Sequence, residues 1–307
     1  MKDDTAGDPI SGVKWTRKTI RAITRAVRRK GFKVRRETVR RLLIKLHYRL
    51  RVNRKRLNRK HDLQRDEQMR YLARQRKAFE KAGKPVISVD SKKRELVGNF
   101  RNAGRTWRQA PWDVLESDYP DDAEGVAIPY GIYDVVNNRG FVVVGCSHQT
   151  PEFAVHAIRM WWIKEGSIRF ARHHEVLIQA DCGNPNGYRS WRWKYALQQL
   201  ADEFGLTLTV THLPTGASKW NPVEHKLFCF ISQNWAGQPL TSYETILKYI
   251  RTTKTETGLR CRAYLDKTDY PTGGRLTADQ KAQIRLFPHR VLPKWNYTIK
   301  PNASARK

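Results

Sequence analysis

Two short runs of strand-forming residues, Val86-Ile87-Ser88-Val89 and Val176-Leu177-Ile178-Gln179-Ala180, each end in an aspartate, Asp90 and Asp181. No other feature of the chain constrains its fold as much. Apolar runs of this length, bounded by turn and helix signals, read as buried strands. A carboxylate directly after such a run stands at the strand's carboxyl end. If the two strands are parallel neighbours, both acids emerge at one sheet edge, where open α/β sheets bind their ligands.

The segments around them supply the rest of the sheet. Residues 126–135 and 140–147 alternate as a hairpin around Asn137-Asn138-Arg139-Gly140. Thr150-Pro151-Glu152 opens a helix, with Thr as N-cap, Pro at the first position and an acid in the first turn. That helix is expected to run to about residue 164 and to stop at Gly166. A second helix is expected over 188–204, ended by Gly205, and Leu206-Thr207-Leu208-Thr209-Val210 follows as a fifth strand. After the loop Pro214-Thr215-Gly216-Ala217-Ser218, Asn221-Pro222 opens a long helix through about Trp235. Periodicity alone specifies an α/β domain with a mixed sheet. The order β-β-β-α-β-α-β-α is that of the RNase H fold, so the expectation is an RNase-H-like mixed five-stranded sheet flanked by helices.

Glu224 lies in the first turn of the last of these helices and is placed to reach the edge shared by Asp90 and Asp181. Three converging carboxylates repel one another unless a cation joins them. Mg²⁺ takes oxygen ligands and is commonly held by a few carboxylates together with substrate phosphates. Two such ions, magnesium or manganese, bind the attacking and leaving oxygens of an in-line phosphoryl displacement. Each acid also has an ordinary reading. Asp90 and Asp181 are common turn residues, and Glu224 stands three positions after Asn221, as in a capping box. Asp134, on the second strand, is the competing or auxiliary acid. His212 and His225 are auxiliary candidates for a water or a phosphate, against the usual packed histidine. Lys92, Lys93 and Lys219 are candidates for phosphate contact, and Trp220 for stacking on DNA or packing under its loop. Trp161, Trp162, Trp191 and Trp193 fall on helices and read as packing residues.

Charge divides the chain. The 307 residues hold 59 Lys and Arg against 29 Asp and Glu, a net of +30. Residues 1–85 carry 29 of those bases and 8 of the acids. Such an excess calls for a polyanion, and nucleic acid is the usual one. No apolar run approaches the roughly 18 residues of a membrane span, and no signal-peptide core is present, so a cytoplasmic protein with no membrane partner is expected. Cys146, Cys182, Cys229 and Cys261 form no C-x-x-C pair and read as free thiols. In the basic part, residues 16–30 and a segment from Arg36 through Leu46 read as two amphipathic helices. The second carries Val39, Leu42, Leu43 and Leu46 on one face. Joined at Gly31 they fit a helix-turn-helix, with Arg35, Arg36, Arg40 and Arg41 near DNA and an arm through Arg54 and Lys55 for phosphates. The expected division is a DNA-binding arm with its linker helix over 1–82 and a catalytic domain over 83–307.

Several ordered blocks resemble the Rhodopirellula-type bacterial insertion-sequence transposases, DDE enzymes distantly similar to the mariner group. They are the stretch from Pro85 through Asp90 to Phe100, Ile128-Pro129-Tyr130-Gly131-Ile132-Tyr133-Asp134, Glu152-Phe153-Ala154-Val155 and Asn186-Gly187-Tyr188-Arg189. Ser218-Lys219-Trp220-Asn221-Pro222-Val223-Glu224-His225 and Trp295-Asn296-Tyr297-Thr298-Ile299 continue the likeness. It spans about Trp15 to Pro301. Two loops depart from the family pattern: Gln149 stands where an aspartate is usual, and Cys182-Gly183-Asn184-Pro185-Asn186 replaces a glycine run. The N-terminal part is also expected to lack a helical segment usual in the family. The resemblance implies an RNase-H-like fold, a catalytic triad of Asp90, Asp181 and Glu224 and two divalent ions. It further implies double-stranded element-end and target DNA as substrate, with a homodimer or higher oligomer assembled on it. Two alternatives stay open: a DNA-binding derivative without catalysis, and an RNase-H-like nuclease that does not join strands.

Overall fold

A computed structural model describes residues 6–7, 14–16, 18–51 and 64–302. The chain divides into two compact units, Met1–Arg59 and Lys60–Lys307.

In the first unit, β1 (Ala6–Gly7) pairs antiparallel with β2 (Lys14–Trp15). Helix α1 (Ile20–Arg29) starts at Thr19, whose hydroxyl accepts from the Ala22 N–H at 3.2 Å. Gly31 then turns the chain with φ of +88°, a conformation that favours glycine. Helix α2 (Arg36–Lys45) follows, and each helix buries an apolar residue, Ile23 and Val39. The apolar stripe expected on α2 is only partly used: Val39 is buried, whereas Leu42 and Leu46 are exposed. Arg35, Arg36, Arg40 and Arg41 are all exposed. Arg54 and Lys55 lie outside the described residues.

The second unit opens with α3 (Arg65–Lys81), the helix expected to link arm and body. It packs on the sheet instead of belonging to the arm. Its buried Gln68 exchanges amide hydrogen bonds with Asn296 at 2.8 and 2.7 Å and donates to the His212 carbonyl at 2.8 Å. Its Arg76 donates to Gln179 at 2.9 Å, and Phe79 packs on Val86 and Leu177. The compact unit that holds the sheet begins at Lys60 and includes this helix, whose buried polar side chains find their partners there.

The five expected strands are present as β3 (Val86–Ser91), β5 (Gly125–Asp134), β6 (Arg139–Gly145), β7 (Glu175–Ala180) and β8 (Thr207–His212), with the short β4 (Glu95–Val97) beside β5. Their spatial order is β6-β5-β3-β7-β8. The β5–β6 and β3–β5 pairs are antiparallel, and β3–β7 and β7–β8 are parallel. This is the RNase H strand order. The sheet is wider than five strands: β9 (Arg260–Asp266) adds parallel to β6, and β11 (Asn296–Ile299) and β10 (Leu286–Pro288) extend the other edge beyond β8.

Helices cover both faces. On one, α4 (Pro151–Trp161) and α6 (Trp191–Phe204) bury Phe153, Trp161, Trp193 and Leu197 against Ile87, Val89, Ile178 and Val210. The first of these helices does not stop at Gly166; it continues through a π turn (Trp162–Gly166) into α5 (Ser167–Arg169). Gly166 is there for packing, since a Cβ at that position would stand 2.5 Å from the Trp162 ring. On the opposite face lie α3, a helix comprising a π turn (Glu224–Phe228) and α7 (Cys229–Asn234), and α8 (Tyr243–Thr252). The short α9 (Ala278–Ala282) precedes β10. Among the described residues no helix is long and apolar enough to cross a membrane.

Candidate active site

Strand pairing brings the two aspartates together. In the parallel β3–β7 ladder Val89 is opposite Ala180, so Asp90 and the following Asp181 stand side by side at the carboxyl ends of neighbouring strands, about 4.8 Å apart by sheet geometry. Asp90 shares the face of Ser88, the face covered by the Glu224 helix.

That helix is seated by polar contacts from β3. The Ser88 hydroxyl donates to Asn221 Oδ1 at 2.8 Å and accepts from the Val223 N–H at 3.2 Å, so a strand residue caps the helix. The Asn221 side-chain amide donates to Asp90 Oδ2 at 2.8 Å. Asn221 thus serves Asp90 and does not form a capping box with Glu224, the ordinary reading of that acid. Gly131, opposite Asp90 on β5, makes room for the same helix: a Cβ there would lie 2.4 Å from Phe228 and 3.1 Å from Val223. Glu224 opens the π turn, an irregularity that recurs at functional sites.

Asp90 is buried, 8 % exposed, while Asp181 and Glu224 are half-buried. The backbone N–H of Ser91 donates to Asp90 at 2.7 Å. Asp181 accepts from the Gly183 N–H at 3.0 Å and from the Asn186 amide at 3.3 Å. Gly183 is required for that approach, because a Cβ would sit 2.6 Å from the carboxylate. Asn186 is itself oriented by the buried Tyr130 hydroxyl, which donates to it at 2.7 Å. Among the described residues, none of the three acids is ion-paired with Lys or Arg. Burial, then Asp181 and Glu224, push the Asp90 carboxyl up to about 8. Asp181 and Glu224 are raised too, first by burial. Among the described residues, no group of three or more His, Cys, Asp or Glu side chains is gathered closely enough to form a ready-made metal cage.

The other candidates separate. Asp134 stands opposite Ile87, at the far end of the sheet from Asp90, and accepts from the Val136 and Asn137 N–H groups, both at 3.0 Å, to close the hairpin. Its contacts are those of a turn acid. His212 is fully buried, with Nδ1 on the Asp181 carbonyl at 2.9 Å and Nε2 on the Tyr297 hydroxyl at 3.2 Å. Burial pushes it down to about 4; it holds Asp181's backbone and reaches no solvent-side ligand. His225 is exposed beside Glu224. Lys92 pairs with Glu95 and lies over the Trp235 ring at 4.6 Å, so it is committed within the fold, whereas Lys93 and Lys219 are exposed. Trp220 is half exposed under the Arg65 guanidinium at 4.9 Å. Trp161, Trp162 and Trp193 are core residues; Trp191 is exposed.

Ser88, Tyr130, Asn186, Asn221 and Tyr297 carry the support of this site and were given no such role by sequence reasoning. A polar residue inside an apolar strand, as Ser88 is, was the signal available.

The fold is thus RNase-H-like, with two acids adjoining at the open end of its central parallel strands. Residues 1–301 match the family described as the Rhodopirellula transposase DDE domain, and the chain belongs to that family. It is a DNA transposase, of the transposase type of nucleotidyl transferase; the binding-only and nuclease alternatives are not favoured. No protein of curated function matches in sequence. Among solved structures the chain is similar to a Mos1 transposase paired-end complex with left transposon end, at 14% identity over 79% of this chain and 73% of that chain, with a TM-score of 0.45. It is similar also to a pre-cleavage Mos1 transpososome, at 14% over 80% and 72%, TM-score 0.45. A mariner Mos1 paired-end complex with Mg gives 12% over 80% and 73%, again with a TM-score of 0.45.

Proposed function

We propose that Asp90, Asp181 and Glu224 are the catalytic acids and that the chain cuts DNA at the ends of an insertion sequence and joins those ends to a target. The observation that carries this reading is the juxtaposition of Asp90 and Asp181 at one sheet edge without an ion-paired Lys or Arg among the described residues. A buried acid beside a half-buried one in that state is a poor structural element and a good receptor for cations. Magnesium or manganese, as two ions, fits this donor set of carboxylate oxygens, with the three acids as ligands. Such ions stabilise charge on the attacking and leaving oxygens of an in-line displacement.

The chain's own residues do the positioning. Asn221 and the Ser91 N–H orient Asp90; Gly183 and Asn186 orient Asp181; Gly131 lets the Glu224 helix lie against the strand. Exposed Lys93 and Lys219 meet phosphates near the site. Arg35, Arg36, Arg40 and Arg41, with Arg54 and Lys55, make residues 1–59 the duplex-binding arm, and residues 60–307 form the catalytic domain. Synapsis of two ends calls for a homodimer or larger assembly on DNA, in the cytoplasm with the nucleoid.

The test is incubation of the chain with labelled element-end DNA and Mg²⁺ or Mn²⁺. Nicked and joined products that depend on the metal are expected. Nicking without joining would leave a nuclease, and binding without nicking a repressor.

A further inference from the structure

Between β4 and β5 the chain leaves the sheet for residues 98–124, and this excursion is firmly held. Its base is closed by the Glu124 N–H on the Val97 carbonyl and the Gly98 N–H on the Leu240 carbonyl, both at 2.9 Å. Its middle is fastened to the end of the Glu224 helix. The Asn102 amide donates to the Trp235 carbonyl at 3.1 Å, the Gly237 N–H to the Ala103 carbonyl at 2.9 Å, and Arg108 to Gln238 at 2.7 Å. Gly104, with φ of +119°, lies so close that a Cβ would stand 2.6 Å from Ala236.

Two adjoining cavities, of about 340 and 510 Å³, run along this segment and share Arg101 and Asn102. The groove they form begins at Lys93 and Arg94, just past Asp90, and ends at Arg105, Arg108 and Trp112. None of its five basic side chains is ion-paired among the described residues. Its acids are Glu95, already paired with Lys92, and Asp118. On the same segment Trp107 is fully exposed and Trp112 largely so, with the Arg108 guanidinium 4.9 Å over the Trp112 ring. Trp107 stacks on no other ring among the described residues.

We propose that this groove takes a single strand of DNA leading away from the Asp90 edge, its phosphates along Arg101, Arg105 and Arg108 and its bases stacked on Trp107 and Trp112. Basic grooves with free aromatic faces are the common means of holding unpaired strands, because every base has a π face. In a duplex those faces are covered by neighbouring base pairs, so tryptophans presented this way match unstacked bases. The anchoring to the Glu224 helix keeps the groove in fixed relation to the proposed site. The inference rests on DNA being this chain's substrate.

The experiment compares the full chain with its Trp107→Ala/Trp112→Ala variant on two fluorescent probes without divalent metal: a blunt duplex, and the same duplex carrying a thymidine overhang of about ten nucleotides. The wild type is expected to bind the overhang probe about tenfold more tightly, and the variant to lose that advantage while holding the blunt duplex within about twofold. Arg105→Ala with Arg108→Ala should flatten the salt dependence on the overhang probe by about 0.7 in slope for each phosphate no longer neutralised. If the double variant does not fold, Trp107→Ala alone gives the test, since that ring stands fully in solvent. Equal binding of both probes by the wild type, or an equal loss on both in the variant, would overturn the proposal. So would a loss accompanied by a fall in molar mass in light scattering, which would assign the segment to a second copy of this chain. Wild type binding neither probe would remove DNA as partner, and the proposed function with it.

Discussion

Two of the places where the second unit buries an acid treat it in opposite ways. Glu165, in the π turn after α4, stands between two guanidinium groups, with Arg262 at 3.2 Å and Arg169 at 3.4 Å. Asp90, buried to a similar degree, receives only neutral donors, Asn221 and the Ser91 N–H, and its neighbour is another acid. Asp266, a lone acid, accepts from the Tyr270 hydroxyl at 2.7 Å and the Thr268 N–H at 3.0 Å with His156 at 3.8 Å, and its carboxyl is held below the usual range. Asp90 has no such basic neighbour among the described residues and has an acid beside it. The difference sets a buried acid held between two cations against an edge where two acids adjoin, and where a cation would relieve the repulsion.

The largest expected effect sets one acid of each kind against the other. Asp181→Asn should reduce metal-dependent cleavage by on the order of a thousandfold or more, the several kcal/mol that metal-held charge contributes. Asn keeps the size but holds no hard cation. Affinity for duplex DNA without metal should stay within a few-fold. Glu165→Gln should do the reverse, lowering thermal stability by about 1–3 kcal/mol while cleavage by the folded protein is retained. Arg262 is half exposed and regains water in the variant, which keeps that loss modest. Cleavage assays and calorimetry on both variants decide it. Asp181→Asn cutting like wild type, or Glu165→Gln failing to cut while folded, would erase the contrast.

Much of the proposed site was legible before the structure. Asp90 and Asp181 announced themselves because apolar runs ended on them, and the parallel register puts them where that reading expected. Glu224 was legible from Asn221-Pro222, a helix start. What was not legible depends on contacts distant in sequence. Ser88 capping a helix 135 residues away, Tyr130 orienting Asn186, and Tyr297 reaching His212 from an added strand have no local pattern. The same limit explains α3. Its composition is that of a charged linker, and only the burial of Gln68 against Asn296 makes it part of the body. Asp134 ends a strand run too, as the residues before Asp90 and Asp181 do. Antiparallel pairing sends that strand's end to the opposite edge, and direction is not written in a hydrophobic run.

A second prediction sharpens the contrast through pH. Asp90 titrates at about 8 in the folded chain against 3.8 for an ordinary aspartate. The folded state therefore holds a proton that the unfolded state releases, and the Asp90 contribution to metal-free stability is greatest below 3.8 and falls as pH rises towards 8. Asp90→Asn removes that loss. At pH 8 to 9 without divalent metal the variant should be more stable than wild type by at least about 1.4 kcal/mol, the equivalent of one pKa unit, with the gap closing towards pH 4. Added Mg²⁺ or Mn²⁺ should raise the wild-type melting temperature at pH 8 and leave the variant's nearly unchanged, because ligands that bind only the folded state stabilise it. Melting curves across pH check both parts. A wild type whose stability is flat from pH 4 to 9 would mean that Asp90 is not strained by its neighbours.

The smallest effect concerns the support behind Asp181. The Trp193 indole donates to the Tyr297 hydroxyl at 3.0 Å, and that hydroxyl lies 3.2 Å from His212 Nε2. With His212 held neutral by burial, the consistent assignment has Tyr297 donating to Nε2 and His212 Nδ1–H donating to the Asp181 carbonyl. Tyr297→Phe removes the middle of this chain and leaves the indole N–H and Nε2 buried without partners. The expected loss is about 1 kcal/mol of stability. The His212–Asp181 bond survives, so cleavage should fall by less than about tenfold, the lower end for groups that orient a ligand-bearing segment. His212→Phe, which breaks that last bond, should lose more cleavage than Tyr297→Phe for a similar change in melting temperature. If Tyr297→Phe alone abolished cleavage as Asp181→Asn is expected to, the network would belong to the reacting site, and the line between its strained acids and their neutral support would have to move outward to β11.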